Sequence, residues 1–279
     1  MIQSGVVLAL AAAMAWGAGD MAGGVATRRT NWLAASAAAQ LVGFALLLGA
    51  LLILRPSAPT PATVALGAVG GIFGGLALAA LYRALATGAM GLVSAISGAG
   101  GALIPVAVGA LLFQQAVTSL QLAGIVAVLV AIAAASGATV TGVSRRGLLL
   151  ALTAAVGFGL WFLFLGRAAE GGQLWALVSA RGAAAVALGG TALLRHAVSD
   201  LRRVRGLVLL AGVMDVTANG LVVTAFASVS VGIAAALSNM YPLSTMLLAR
   251  VLLGERLPRL GMVAVGLAVA GIVLISLGG

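Results

Sequence analysis

Cysteine and lysine are absent from this chain of 279 residues, histidine occurs once, at His196, and only five side chains are acidic. Without thiols there is no disulfide framework and no cysteine nucleophile. With a single histidine the usual zinc, haem and iron–sulfur ligand sets cannot be assembled. Without lysine there is neither a Walker A phosphate loop nor a Schiff-base amine. No cofactor and no metal are therefore expected. Charged residues of both signs make up 7% of the chain, against about 25% in soluble domains. Hydrophobic residues make up 63%, and mean hydropathy is +1.23. So few charges cannot cover a surface in water, so lipid must be the solvent.

The formal charge of +10 would suggest a nucleic-acid partner in a soluble protein. Here every basic residue is arginine, and most stand in short breaks between apolar stretches, with no run long enough for a binding arm. A spanning helix takes about 20 mainly apolar residues. Arg, Pro and polar breaks then predict helices near 4–25, 32–54, 63–86, 90–113, 119–140, 147–167, 174–195, 206–227, 230–253 and 258–278. The first is read as a span and not a signal peptide, because Met1-Ile2-Gln3-Ser4 has no basic region. The loops are short, so the work of the molecule is expected inside the bundle.

The chain resembles itself. Residues 5–17 match 147–159, with Gly5, Leu8, Ala9, Leu10, Ala12, Ala13 and Gly17 recurring. Ala84, Ala86, Gly91, Ala95 and Ser97 recur as Ala225, Ala227, Gly232, Ala236 and Ser238, and Leu111-Leu112 as Leu252-Leu253. A near-constant offset across both ends divides the chain into residues 1–142 and 143–279. The expected fold is thus an all-α integral membrane protein of ten transmembrane helices in two five-helix repeats. An odd helix number inverts one repeat relative to the other, a recurring architecture of secondary transporters.

With the N-terminus outside, Arg28, Arg29, Arg83, Arg145, Arg146, Arg195, Arg202, Arg203, Arg205, Arg250, Arg256 and Arg259 fall on the inner side. Only Arg55 and Arg167 fall outside, and Arg181 lies within helix seven. The positive-inside rule then places both termini outside. Gly67, Gly71 and Gly75, like Gly19 and Gly23, stand four apart. That spacing allows close helix packing, within the monomer or at a dimer face.

Ionisable groups inside a membrane are costly and are usually paired or functional. Asp215 lies in the middle of helix eight with Asn219 one turn on, and it is read either as the structural partner of Arg181 or as a substrate or proton site. Asp20, near the inner end of helix one, is read as a solvated or capping carboxylate. Pro105 and Pro242 fall in the fourth helix of each half, where a missing donor bends a helix and frees a carbonyl. Around Pro242 the polar residues Ser238, Asn239, Tyr241 and Ser244 cluster. The first half offers Tyr82, Ser94, Ser97 and the Gly98–Gly101 stretch. Trp16, Phe158 or Trp161 would pack the apolar part of a polar solute.

Gly17-Ala18-Gly19-Asp20 also fits the GxGD pattern of intramembrane aspartyl proteases, but in that family the GxGD aspartate follows its partner, and here it precedes Asp215. The chain is read as a non-enzyme.

Ala15-Trp16-Gly17, the duplication, and Leu253-Gly254-Glu255-Arg256 leading to Gly261 and Gly266 resemble the drug/metabolite transporter superfamily. The likeness is to its ten-helix branch with duplicated EamA-type domains. In the first half Phe113-Gln114-Gln115 replaces the Gly-Glu of that pattern. The resemblance implies export of amino acids, aromatic ones among them, or related metabolites, by alternating access through a central cavity. Tyr82, Ser94, Ser97, Asp215, Asn219, Asn239, Tyr241 and Ser244 are the candidate lining residues, with Pro105 and Pro242 as bending points. The expected setting is a bacterial inner membrane, with the lipid bilayer and a small-molecule substrate as partners and a monomer or weak homodimer as the assembly. The alternatives are a multidrug or organic-cation exporter with Asp215 as counter-charge, and a non-transporting scaffold or intramembrane enzyme. A reporter fused after Gly279 is expected on the outer side of the membrane; a cytoplasmic reporter would overturn the orientation.

Overall fold

The computed structural model describes residues 2–88, 90–113, 117–135, 143–197, 201–225, 228, 237–256 and 258–278. Among these the chain forms ten α-helices and no strand. The first half contains α1 (Ile2–Arg29), α2 (Trp32–Leu54), α3 (Pro61–Leu85), α4 (Met90–Phe113) and α5 (Ser119–Ala135). The second contains α6 (Arg145–Ala169), α7 (Gln173–Leu194), α8 (Arg205–Ala225), α9 (Tyr241–Leu253) and α10 (Arg259–Leu277). Six spans, in α1, α2, α3, α6, α7 and the segment Leu201–Val222, are long and apolar enough to cross a bilayer. Gln114 and Gln115 lie outside the described residues.

Local chemistry sets several starts. The Asn31 side chain accepts from the amides of Leu33 and Ala34 to cap α2. Thr60 caps α3 with Pro61 in its first turn, and Ser144 accepts from Gly147 N to cap α6. Each satisfies an amide that the helix leaves without a carbonyl. The exterior is apolar: Val7, Met14, Leu52, Ile53, Leu54, Leu194 and Val251 all stand exposed, as lipid-facing residues must.

The two halves interleave. α1 packs on α8 and α9, and the corresponding contacts of the second half are α6 on α3 and α4. The pairing of α2 with α8 has its mate in α7 with α3, while α2–α7, α4–α9 and α5–α10 each join a helix to its own counterpart. Adding five to every helix number therefore maps these contacts onto one another, as two related halves around a pseudo-twofold axis require.

Small residues make the close approaches possible. Gly71 of α3 faces the backbone of Ala180 on α7 with no room for a Cβ, and Gly67 and Gly75 meet Ala176 and Ala184 along the same seam. The glycine stripe on α3 is thus used for packing within the chain. On α1, Gly23 lies under the ring of Tyr82.

One face of the bundle gathers opposing charge at helix ends. Arg28 donates to Leu85 O at 3.1 Å and to Gly88 O at 3.4 Å. Glu255, after the αL cap Gly254 that closes α9, accepts from the amides of Met90 and Gly91 at the start of α4. Burial pushes the Glu255 carboxyl above the usual glutamate range, offset in part by these amides and by Arg28. The Gly-Glu pair after α9 therefore ties the second half to the first turn of α4.

Gly71→Ala is expected to overpack the α3–α7 seam by about 1–3 kcal/mol. It should lower the thermal midpoint in detergent, whereas Gly189→Ala, with open space around its α-carbon, should not.

Candidate functional site

The apolar interior contains a cavity walled by both halves, with about 70 Å³ open to the centres of water-sized molecules. Its polar lining comprises Trp16 and Asp20 from α1, Gln40 from α2, Ser97 from α4, Arg181 from α7, Asp215 from α8, and Asn239 and Tyr241 around the start of α9. Glycines of α3 and α4, Leu78 and Leu81 of α3, Ala180 and Ala184 of α7, and the rings of Phe158, Trp161 and Phe162 supply the rest. α5 and α10 contribute no lining residue.

Arg181 and Asp215 form a salt bridge in this lining. The Arg181 guanidinium also donates to Gln40 Oε1 at 2.7 Å, and Trp16 Nε1 donates to Asp215 Oδ1 at 3.2 Å. Both members of the pair thus hold a partner from the first half. Asp215 is thus the partner of Arg181, and it faces the cavity.

Asp20 is placed differently from expectation. α1 continues to Arg29, so Asp20 lies two and a half turns inside the helix. It is buried, with 7% of its surface exposed, and it lines the cavity. Ser94 Oγ stands 3.5 Å from Asp20 Oδ2 and 3.3 Å from Thr245 Oγ1.

Of the predicted lining residues, Ser97, Asp215, Asn239 and Tyr241 reach the cavity wall. Tyr241 stands edge-on to Trp16, with ring centroids 6.2 Å apart, and its hydroxyl lies over Gly98, where a Cβ would come within 2.8 Å. Ser97 directs its hydroxyl to Val93 O and Ala151 O, so it joins α4 to α6. Tyr82 is fully buried against Gly23 and does not face the cavity. Ser94 lies behind the wall, Ser244 packs on Gly17, and Asn219 donates 2.7 Å to Asp215 O within its own helix.

Pro242 occupies the first turn of α9, where proline costs no hydrogen bond. The interruption precedes it, in a turn at Asn239 and Met240, and this puts Asn239 on the cavity. α4, by contrast, is helical through Pro105. Sequence reasoning passed over Gln40 and Asp20 as lining residues; a lone amide and a lone acid in otherwise apolar helices were the available signals.

Residues 145–277 match the EamA-like transporter family. No curated protein matches the chain. Among solved structures, one described only as "Crystal structure of protein" is similar with a TM-score of 0.68 and 18% identity, over 99% of this chain and 98% of its own. At that identity the likeness is one of fold.

Breaking a buried ion pair from one side costs about 3–5 kcal/mol, because the other charge is left alone. Arg181→Ala is therefore expected to lower the thermal midpoint in detergent more than the double substitution with Asp215→Ala, and equal losses would show that the pair is not buried in the native protein.

Proposed function

We propose that this chain, a multi-pass membrane transporter of the EamA-like family through residues 145–277, is a secondary transporter exporting amino acids or related small metabolites by alternating access. The observation that carries this reading is the cavity itself. It is walled by helices from both halves, and it sets a charged pair beside an aromatic wall. A zwitterion carries both charges on one end, and Arg181 with Asp215 offers a complementary pair to that end. Trp16, Phe158, Trp161 and Tyr241 offer apolar surface to its side chain. Residues 1–142 and 143–279 are the two moving halves. The break at Asn239 and Met240, with Pro242 after it, is the point on α9 where bending costs least, and Pro105 is its counterpart on α4.

The arginine-rich ends Arg28, Arg83 and Arg146 stand near one another on one face. With that face inward, both termini lie outside a bacterial inner membrane. The working unit is one chain, or a weak homodimer, because the cavity is complete within a single bundle.

A second reading, export of organic cations, is favoured by one observation. Asp20 reaches the cavity without a cation partner among the described residues, although Asp215 is taken by Arg181. Proteoliposomes containing the purified chain, tested with labelled phenylalanine, threonine, a sugar, a nucleotide and a lipophilic cation, separate the two readings. Saturable phenylalanine or threonine flux, lost in Arg181→Ala and competed by unlabelled amino acid, is the expected result. Flux of the cation alone would favour the second reading. No flux of any compound would favour a non-transporting scaffold.

A further inference from the structure

The cavity lining holds two carboxyl groups and one guanidinium. Arg181 is spent on Asp215 and Gln40, so the described lining is one positive charge short. The shortfall falls on Asp20. Its only described hydrogen-bond partner is the Ser94 hydroxyl at 3.5 Å, far longer than the roughly 2.5–2.7 Å of a hydroxyl bound to a true carboxylate. The groups facing Asp20 from the helices around it supply no cation. These are Asp215 from α8, Tyr82 from α3 and Tyr241 from α9, while α2 and α4 contain no ionisable residue at all. A bare carboxylate in an apolar interior costs more than one neutralised by a proton or a bound cation.

Counting hydrogens around Ser94 points the same way. Thr245 Oγ1 directs its hydrogen to Tyr241 O at 3.2 Å, so towards Ser94 it can only accept. Ser94 has one hydroxyl hydrogen and two acceptors within reach, Asp20 Oδ2 and Thr245 Oγ1. With a proton on Asp20, one chain of donors runs from the acid to Ser94, to Thr245 and on to the Tyr241 carbonyl, and every hydrogen is used. When the proton leaves, Ser94 must turn to the carboxylate and Thr245 loses its donor. The chain joins α1, α4 and α9, so the protonation of Asp20 is tied to how these three helices meet.

We propose that Asp20, with Ser94 and Thr245, is the coupling-proton site of this transporter, separate from the Arg181–Asp215 pair. This rests on the transport reading above. Asp20 releases its proton to the cavity as a substrate enters, and takes one up when the substrate leaves. One proton therefore moves against one substrate, and no other atom changes its bonds.

The experiment has two arms, both on the full chain. In the first, which needs no substrate, infrared difference spectra of the purified protein are recorded between acid and alkaline buffer. A protonated-carboxyl band that is present in wild type and missing in Asp20→Asn is expected; an unchanged band in Asp20→Asn overturns the proposal. In the second, proteoliposomes with clamped membrane potential are loaded with labelled phenylalanine. One pH unit of gradient should drive about tenfold accumulation in wild type for one proton exchanged per substrate. Asp20→Asn should abolish this accumulation. Asp20→Glu, a check against misfolding, should restore it with a displaced pH profile. Wild-type exchange that ignores the gradient, or accumulation that survives in Asp20→Asn, overturns the coupling. If wild type carries no compound of the panel the transport reading fails, and with it the coupling, while the infrared arm still decides whether Asp20 holds the proton.

Discussion

A guanidinium and a carboxylate cannot stand apart in an apolar interior, and in this bundle Arg181 on α7 and Asp215 on α8 meet there. Each also takes a partner from the other half. Gln40 of α2 receives a second hydrogen from Arg181, and Trp16 of α1 donates to Asp215. The four side chains bring α1, α2, α7 and α8 to one point, and that point is the wall of the cavity. A structural requirement of the low-dielectric interior and the polarity of a binding site are thus met by the same atoms.

Around that centre the packing is done mostly by small residues. Without a hydrophobic drive between helices in lipid, close van der Waals approach is what holds them. The α3–α7 seam at Gly67, Gly71 and Gly75 shows how near two backbones come. Glycine also opens space: Gly74 and Gly98 leave room for the Trp161 ring and the Tyr241 hydroxyl. The interleaving of the halves has a consequence for motion. Because α1, α3, α4 and α6 each pack mainly on the opposite half, a rearrangement of one half must slide along the seams that line the cavity.

The helices were legible in the sequence because a lipid-spanning segment is encoded by composition and length alone. The expected α2 and α4 coincide with Trp32–Leu54 and Met90–Phe113. The site was legible in part. Asp215, Asn239, Tyr241 and Ser97 were picked as polar residues at mid-membrane, and they reach the cavity. Ser94, Asn219 and Ser244 met the same criterion and do not, and nor does Tyr82, expected near the end of its helix. A hydroxyl or amide in an apolar helix seeks the nearest acceptor, and which acceptor that is depends on neighbouring helices and not on spacing along one of them. Asp20 was misjudged for a simpler reason: α1 extends past the expected end, so a residue placed near water lies well inside.

By itself the sequence determined the solvent of this protein, its all-helical fold, and the order of polar breaks and arginines along the chain. Each of these is a property of composition or of order along the chain, and none needs a neighbour to define it. Only the tertiary structure decided which charges are paired. It gave Arg181 to Asp215 and left Asp20 with a hydroxyl, because the distance between two side chains on different helices is set by how those helices cross.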